Sequence, residues 1–410
     1  MRSDGIVVVG AGLGGVRTVE RLRETGYDGP LVLVGEETEP PYDRPPLSKQ
    51  VLRGERDVVR LRTDNDYSAL ADLRLGTAAR GLDTSAHTVR LDDGSQLHYE
   101  ALVIASGARP RTLPQLPPRG VHVLRTADDC RNLRAELTEP ARVAIVGAGF
   151  IGCEVAASLA STGHDVTVVE MASAPLVNVV GTQVAALVRG IHEAHGVRFR
   201  CGVAVAGIAG DARATGVALA DGTVVPADLV LLGLGVVPAT EWLAGSDVVV
   251  DNGVVCDEHG ASSVPDVYAV GDVASWRDAR TGRRRRFEHW TSTAEQAAVV
   301  AHNLRAGDTD RLAYNGVPYF WSDQYDVKIQ SLGVPSPQAT IRLVEISERK
   351  RVVLYATDGM LTAVVGFSCP PVVMRMRPAL EEPTSLDDAM TRLNELVQRA
   401  APKASTTNPS

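Results

Sequence analysis

The chain has 410 residues, 44% of them hydrophobic and 22% charged, a composition that fits a folded globular protein too long for one core. A formal net charge of −8 argues against nucleic acid as a partner, and no apolar run is long enough to span a bilayer. Five scattered cysteines (Cys130, Cys153, Cys201, Cys256 and Cys369) show no CxxC spacing, a pattern that fits reduced thiols better than a disulfide framework or a zinc site. Together with the lack of an export signal before the first apolar run, this predicts a cytoplasmic protein.

The first element is the apolar run IVVV (6–9), followed by Gly10, Gly12 and Gly15 in GxGxxG spacing and then by VRTVERLRETG. Strand, tight turn and helix are expected, with Leu13 and Gly14 completing the turn. In such a turn the first glycine makes the bend, the second lets backbone approach a pyrophosphate, and the third lets helix pack on strand. The helix N-terminus then faces the phosphate charge. A second strand, LVLVG, runs into Glu36 and Glu37, about 21 residues beyond Gly15 and near the spacing of a ribose-binding carboxylate. Glu36 is the favoured one of the two.

PYDRPPLSK (41–49) comes next. Pro45 and Pro46 stiffen a loop that offers Arg44 and Lys49, and proline geometry predicts neither helix nor central strand before Leu47. LPQLPP (113–118) reads as a connection between domains. RVAIVGAGFIGCEVAASLASTG (142–163) then repeats the first motif with Gly147, Gly149 and Gly152, Phe150 and Ile151 lying between the last two. HDVTVVE ends in Glu170, 18 residues beyond Gly152. A carboxylate there accepts both ribose hydroxyls and repels a 2′-phosphate, and MASAPL after it carries no Arg or Lys, so NADH is expected over NADPH. A single GxGxxG is weak evidence, since a glycine-rich turn can bind nothing. Two complete fingerprints in one chain make dinucleotide binding the reading. Arg283, Arg284, Arg285 and Arg286 form one basic run on an acidic background, either a solvated loop or a docking patch for an acidic partner.

Further stretches carry a resemblance. ALVIASGARPR (101–111) is similar to the turn that ends a first flavin segment, LVLLGLGVVPAT (229–240) to the turn closing a nicotinamide domain, and VPDVYAVGDVA (264–274) to a second flavin motif. The chain thus resembles the two-dinucleotide-binding flavoproteins with a glutathione-reductase-like fold. PYDRPPLSK, EHWTSTAEQA (288–297) and PYFWSDQYDVKIQ (318–330) narrow the likeness to the FAD-dependent NADH:ferredoxin reductases of bacterial oxygenase systems, over residues 5 to about 395.

That resemblance implies an α/β fold of two Rossmann-like dinucleotide-binding domains plus a small α+β C-terminal domain. The FAD domain would be discontinuous, 1–112 and 246–318, the NAD domain 113–245, the C-terminal domain 319–400, and 401–410 a disordered tail. It implies flavin contacts at Ala79, Ala105, Ser106 and Gly107, at Gly271 and Asp272 (toward the ribityl hydroxyls), and at His289 and Trp290. Arg44 and Arg125 would meet the flavin phosphates or adenine side. Glu288 and Gly235 would meet nicotinamide or its ribose, and Trp321 the edge facing the acceptor. Lys49 would sit beside the reactive flavin nitrogen, paired with Glu154. Disulfide-reducing relatives keep redox cysteines near the chain start, whereas this chain has none before Cys130, so electrons would leave the flavin directly for an iron–sulfur ferredoxin. Many relatives carry an arginine shortly after the nicotinamide-side acid; here Asn178 stands in that position. The other readings are a flavin NADH oxidase or diaphorase using oxygen or quinone, and a flavoprotein with mainly binding functions. A monomer or weak dimer is expected.

Overall fold

The computed structural model describes residues 5–62 and 67–400. It divides into two compact units, one holding the chain up to Met171 and Gly196–Gly316, the other Ala172–His195 and the chain from Val317 onward. The expected four-part division is thus coarser here, and helix 177–194, expected within the nicotinamide domain, groups with the C-terminal part. The expected tail, 401–410, lies outside the described residues.

Two parallel five-stranded sheets dominate the first unit. In chain order its principal elements are β1 (Ile6–Val9), α1 (Leu13–Glu24), β2 (Leu31–Gly35), β3 (Ala101–Ile104), β4 (Arg142–Val146), α2 (Phe150–Ser161), β5 (Asp165–Glu170), β6 (Leu229–Leu232), β7 (Val267–Ala269) and α3 (Trp290–Asn303). The first sheet runs β7-β3-β1-β2 and ends on Asp72–Leu75; the second runs Arg198–Cys201, β5, β4, β6, Val121–His122. Every pairing in both is parallel. Continuous apolar strands such as IVVV and LVLVG suit this arrangement, because helices and loops cover both faces and leave no solvent side to mark with polar residues.

The helices follow from the same logic. Val16, Val19 and Leu22 bury one face of α1, while Arg17–Glu20 and Arg21–Glu24 pair on the outside at i,i+3 spacing. α2 is apolar nearly all round and correspondingly buried from Gly152 to Leu159. Residues 108–110 and 236–238, near the two expected boundaries between the nucleotide halves, run side by side as a two-stranded antiparallel ribbon.

The second unit is built on an antiparallel sheet in the order Tyr319–Gln324, Val327–Gly333, Met360–Phe367, Lys350–Thr357, Thr340–Ser347. Its core gathers Leu332, Val352, Leu354 and Val364 from the strands with Val373, Met376, Ala389 and Leu393 from the C-terminal helices. Helix Val177–Ala194 breaks at Gly181, whose φ of 75° only glycine adopts without strain. Asn178 lies just before that break.

One local expectation is overturned. Pro45–Ser48 is a 3-10 turn, and Arg44 before it is already in the right-handed helical region at φ −78°, ψ −35°. The turn is closed by Leu47 N–H donating to Arg44 O at 2.9 Å and Lys49 N–H donating to Pro46 O at 3.1 Å. Both prolines sit where no N–H is needed and serve only as stiff acceptors, which is why they are compatible with a helical turn.

Candidate active site

Each glycine turn is held the same way. Gly10 adopts φ 119° and Gly147 φ 102°; a Cβ on them would lie 2.1 Å from Ala105 O and 2.3 Å from Gly233 O. A Cβ on Gly15 would lie 1.9 Å from Gly10 O, and one on Gly152 2.1 Å from Gly147 O. By contrast, a Cβ on Gly12 or Gly149 would meet nothing within 4 Å, so the second glycine of each copy borders open space at the start of a helix. That is the cradle a pyrophosphate needs.

At the second cradle Glu170 accepts the Ala148 N–H at 2.7 Å, which places its carboxylate at the turn, while Phe150 and Ile151 open α2 and Ile151 is exposed. At the first cradle the two candidate acids separate. Glu37 takes the Arg44 guanidinium at 2.6 Å and the Tyr42 hydroxyl at 2.5 Å. Glu36 is exposed and, among the described residues, meets only the Arg109 guanidinium, at 3.4 Å, which leaves it the more available to ribose hydroxyls.

The ASGA turn joins the close of the nicotinamide half. Ser106 Oγ donates to Ala239 O at 2.8 Å, Ala239 N–H donates to Gly107 O at 3.0 Å, and Arg111 N–H donates to Gly235 O at 2.9 Å. Above it lies the second flavin-like motif. Gly271 N–H donates to Gln296 Oε1 on α3 at 2.9 Å, and Asp272 accepts Arg125 Nη2 at 2.7 Å. Arg44 donates through Nη1 to Arg125 O at 2.6 Å, so its side chain steadies the backbone that carries the second arginine. Trp290 is the first residue of α3 and donates through Nε1 to Asp43 at 2.8 Å. Burial pushes the His289 imidazole down to about 4 against the opposite pull of Asp272, so the ring is neutral at pH 7.

Lys49 and Glu154 meet as the resemblance implies. Lys49 Nζ lies 2.6 Å from Glu154 Oε2, both side chains buried, and donates also to Pro45 O at 3.0 Å. A buried pair of this kind persists only when both partners are further hydrogen-bonded, and the supporting donor is Ser48, whose hydroxyl lies 2.5 Å from the same carboxylate oxygen.

The other expected residues are placed as follows. Ala79 opens a small strand, Ala79–Asp83, half-buried. Glu288 is exposed and pairs with Arg286 at 2.6 Å. The basic run is only partly a free surface. Arg284 donates to Cys256 O and Ser275 O, and Arg286 to Asp272 O; Arg283 is exposed and Arg285 half-buried. Trp321 lies in the second unit, stacked on Tyr319 with ring centres 6.0 Å apart.

The donor set suits a flavin. Ser292 Oγ and Gln296 Nε2 on α3 are buried without a hydrogen-bond partner among the described residues; Gln296 takes the Gly271 N–H through Oε1, and Thr293 of the same helix lies 3.3 Å from where a Cβ on Gly14 would stand. A family model described as pyridine nucleotide-disulphide oxidoreductase matches residues 4–297. The chain belongs to that family. A second model, described as reductase C-terminal, matches residues 319–396. Membership brings an oxidoreductase with FAD and a nicotinamide dinucleotide as its cofactors, on the α/β architecture described above.

Among relatives, the ferredoxin reductase component of chlorobenzene dioxygenase from Cupriavidus sp. (strain PS12) is 34% identical, over 96% of this chain and 97% of its own length. Putidaredoxin reductase of Pseudomonas putida is 36% identical, covering 81% of each chain. The solved covalent putidaredoxin reductase–putidaredoxin complex superposes with a TM-score of 0.89 at 31% identity, over 98% of this chain and 100% of that one.

The family's title chemistry runs through a disulfide, and this member has none: all five cysteines are free. Burial pushes the Cys130 and Cys369 thiols up to about 11 and those of Cys153 and Cys256 higher still, so these four are poor nucleophiles.

Proposed function

We propose that the protein is an NADH-dependent ferredoxin reductase that supplies a bacterial oxygenase through an iron–sulfur ferredoxin. The observation that carries this reading is a buried Lys49–Glu154 pair in the stretch where disulfide-reducing relatives keep cysteines. Bound FAD would supply the chemistry that takes a hydride from the nicotinamide and returns its two electrons singly. The chain's own residues position and tune. Gly10–Gly15 and Gly147–Gly152 bind the two pyrophosphates, and Glu36 and Glu170 the two riboses. Lys49 places a positive charge where reduction adds a negative one, and Glu154 keeps that cation bearable in a buried site. Asp43 orients Trp290 at the head of α3. Ala79, Ala105, Ser106, Gly107, Gly271, Asp272 and His289 complete the flavin side, and Glu288 and Gly235 the nicotinamide side.

NADH is favoured over NADPH because Glu170 would repel a 2′-phosphate and no cation follows it before Asn178. Arg283 and Arg285 steer the acidic ferredoxin. The reading includes a cytoplasmic location, a transient ferredoxin complex and a monomer or weak dimer. Among the described residues no helix is long and apolar enough to cross a membrane.

The test is an anaerobic titration of the yellow protein with NADH and NADPH, followed by turnover with a panel of ferredoxins and with oxygen. NADH is expected to bleach the flavin far faster than NADPH, and one ferredoxin to outpace oxygen. Oxygen or quinone outrunning every ferredoxin would overturn the proposal in favour of an oxidase.

A further inference from the structure

We infer that Ser48 is a positioning residue for the Lys49–Glu154 pair, an inference that rests on the reading that Lys49 faces the flavin. Ser48, Lys49, Glu154 and Ser158 are all at most 5% exposed. The Ser48 hydroxyl has one proton and two acceptors in view: Pro45 O at 3.4 Å and Glu154 Oε2 at 2.5 Å. The short, charge-assisted bond takes it. Glu154 Oε2 is also the oxygen that meets Lys49 Nζ, so one carboxylate oxygen is shared by two donors from adjacent residues.

The backbone makes this sharing rigid. Ser158, one helical turn after Glu154 on α2, donates its hydroxyl to Ser48 O at 2.7 Å. Ser48 is therefore clamped to α2 at two points, and its place in the 3-10 turn is set by Pro45 and Pro46. Withdrawing charge from Glu154 through Ser48 leaves the Lys49 ammonium less tightly drawn to the carboxylate and its field more fully felt on the other side. Without the hydroxyl, Glu154 loses one of its donors, and the net potential toward the flavin becomes more negative.

The experiment compares holoprotein of the wild type with S48A, S48T and K49M. It measures the flavin midpoint potential against a reference dye and the rate of flavin reduction by NADH under anaerobic conditions. S48A is expected to lower the midpoint potential and slow reduction at saturating NADH by about threefold to tenfold, the scale of part of one charge-assisted hydrogen bond, with the half-saturating NADH concentration unchanged. S48T is expected to restore both, and K49M to shift both further in the same direction. A wild-type potential in S48A alongside a shifted K49M overturns the role of Ser48 and leaves the wider reading standing. A wild-type potential in K49M removes the reading about Lys49 and the inference with it. Should S48A fail to hold FAD, S48C keeps the volume with a weaker donor. A wild-type potential in S48C would then overturn the inference, and a lowered one would support it.

Discussion

The two glycine fingerprints are near copies in sequence and differ in what surrounds them. In both, the first glycine N–H donates to the last residue but one of the paired strand segment, Gly10 to Val34 O and Gly147 to Val169 O, each at 2.8 Å. The strand registers match as well, Val9 with Val34 and Val146 with Val169. The next residue is then Gly35 in one copy and Glu170 in the other. A Cβ at Gly35 would lie 2.6 Å from the Ala11 Cβ, so the first copy has no room for a side chain there and its acid moves one residue on, to Glu36. Residue 14 is likewise a glycine hemmed in by Val270 and Thr293 of a later segment, at 3.2 and 3.3 Å from an added Cβ, whereas its counterpart Ile151 is exposed. Two residues past the third glycine stand Arg17, over the Trp290 ring, and Glu154, buried against Lys49. Val270 and Thr293 close over residue 14 of the first cradle, while Ile151 of the second is exposed, so the first would suit a tenant that stays and the second a ligand that exchanges each turnover.

Substitutions at matched positions can break this contrast. The largest effect is expected from Gly10→Ala, which adds positive-φ strain and a backbone clash and should yield protein without flavin; Gly147→Ala should stay yellow yet resist reduction by NADH. Loss of colour in both, read by absorbance after purification, would erase the distinction. Next, Glu154→Gln strands a buried cation and should cost about 3–5 kcal/mol in denaturant unfolding, while Arg17→Gln, at a partly exposed site, should cost under about 1 kcal/mol. Glu170→Ala should raise the NADH concentration needed for half-maximal reduction by roughly tenfold or more and narrow the gap to NADPH, since it removes a carboxylate bonded to a turn N–H; Glu36→Ala should leave that concentration unchanged. Smaller still, Ile151→Ala should weaken NADH binding only a few-fold with unfolding unchanged, and Gly14→Ala should do the reverse, lowering the melting temperature by a few degrees.

The smallest effect concerns pH. After each helix the chain reverses at a glycine and donates back to the helix, Tyr27 N–H to Leu22 O and His164 N–H to Leu159 O. Burial holds the His164 imidazole below its usual range, and its Nδ1 accepts the Ala141 N–H at 3.3 Å. A group depressed in the folded state contributes stability that is full above its unfolded value, near 6.5, and is lost as pH falls below it. Protection against hydrogen exchange around residues 141–164, taken relative to the intrinsic rate at each pH, should therefore fall on acidification before that around 6–27. His164→Asn should remove the difference.

How much of this could be read beforehand follows from distance along the chain. The glycine turns, the acids after them and the strands and helices they join are local patterns, and the structure has those strands and helices where spacing put them. The Lys49–Glu154 pair, implied by resemblance, is found at 2.6 Å across a separation of 105 residues. What the residues alone did not disclose are partners of the same long range: Ser48 on Glu154, Arg125 on Asp272 and Asp43 on Trp290. No periodicity encodes such contacts. PPLS carried a signal that was read too strictly, since proline forbids a donor and not a helical turn. The arginine run shows the opposite fault: four like charges suggest one solvated patch, yet Arg284 and Arg286 spend theirs on backbone carbonyls within the fold.

Glu154 has one more consequence, for modularity. It belongs to the helix of the second nucleotide half and neutralises a lysine rooted in the first. A chimera that swaps in another protein's nicotinamide half must therefore import a carboxylate at this helix position and a small hydroxyl residue one turn later. Without them the graft leaves Lys49 an orphan cation in a buried place. Recombination between relatives is thus constrained by one shared charge as well as by the connections that join the halves.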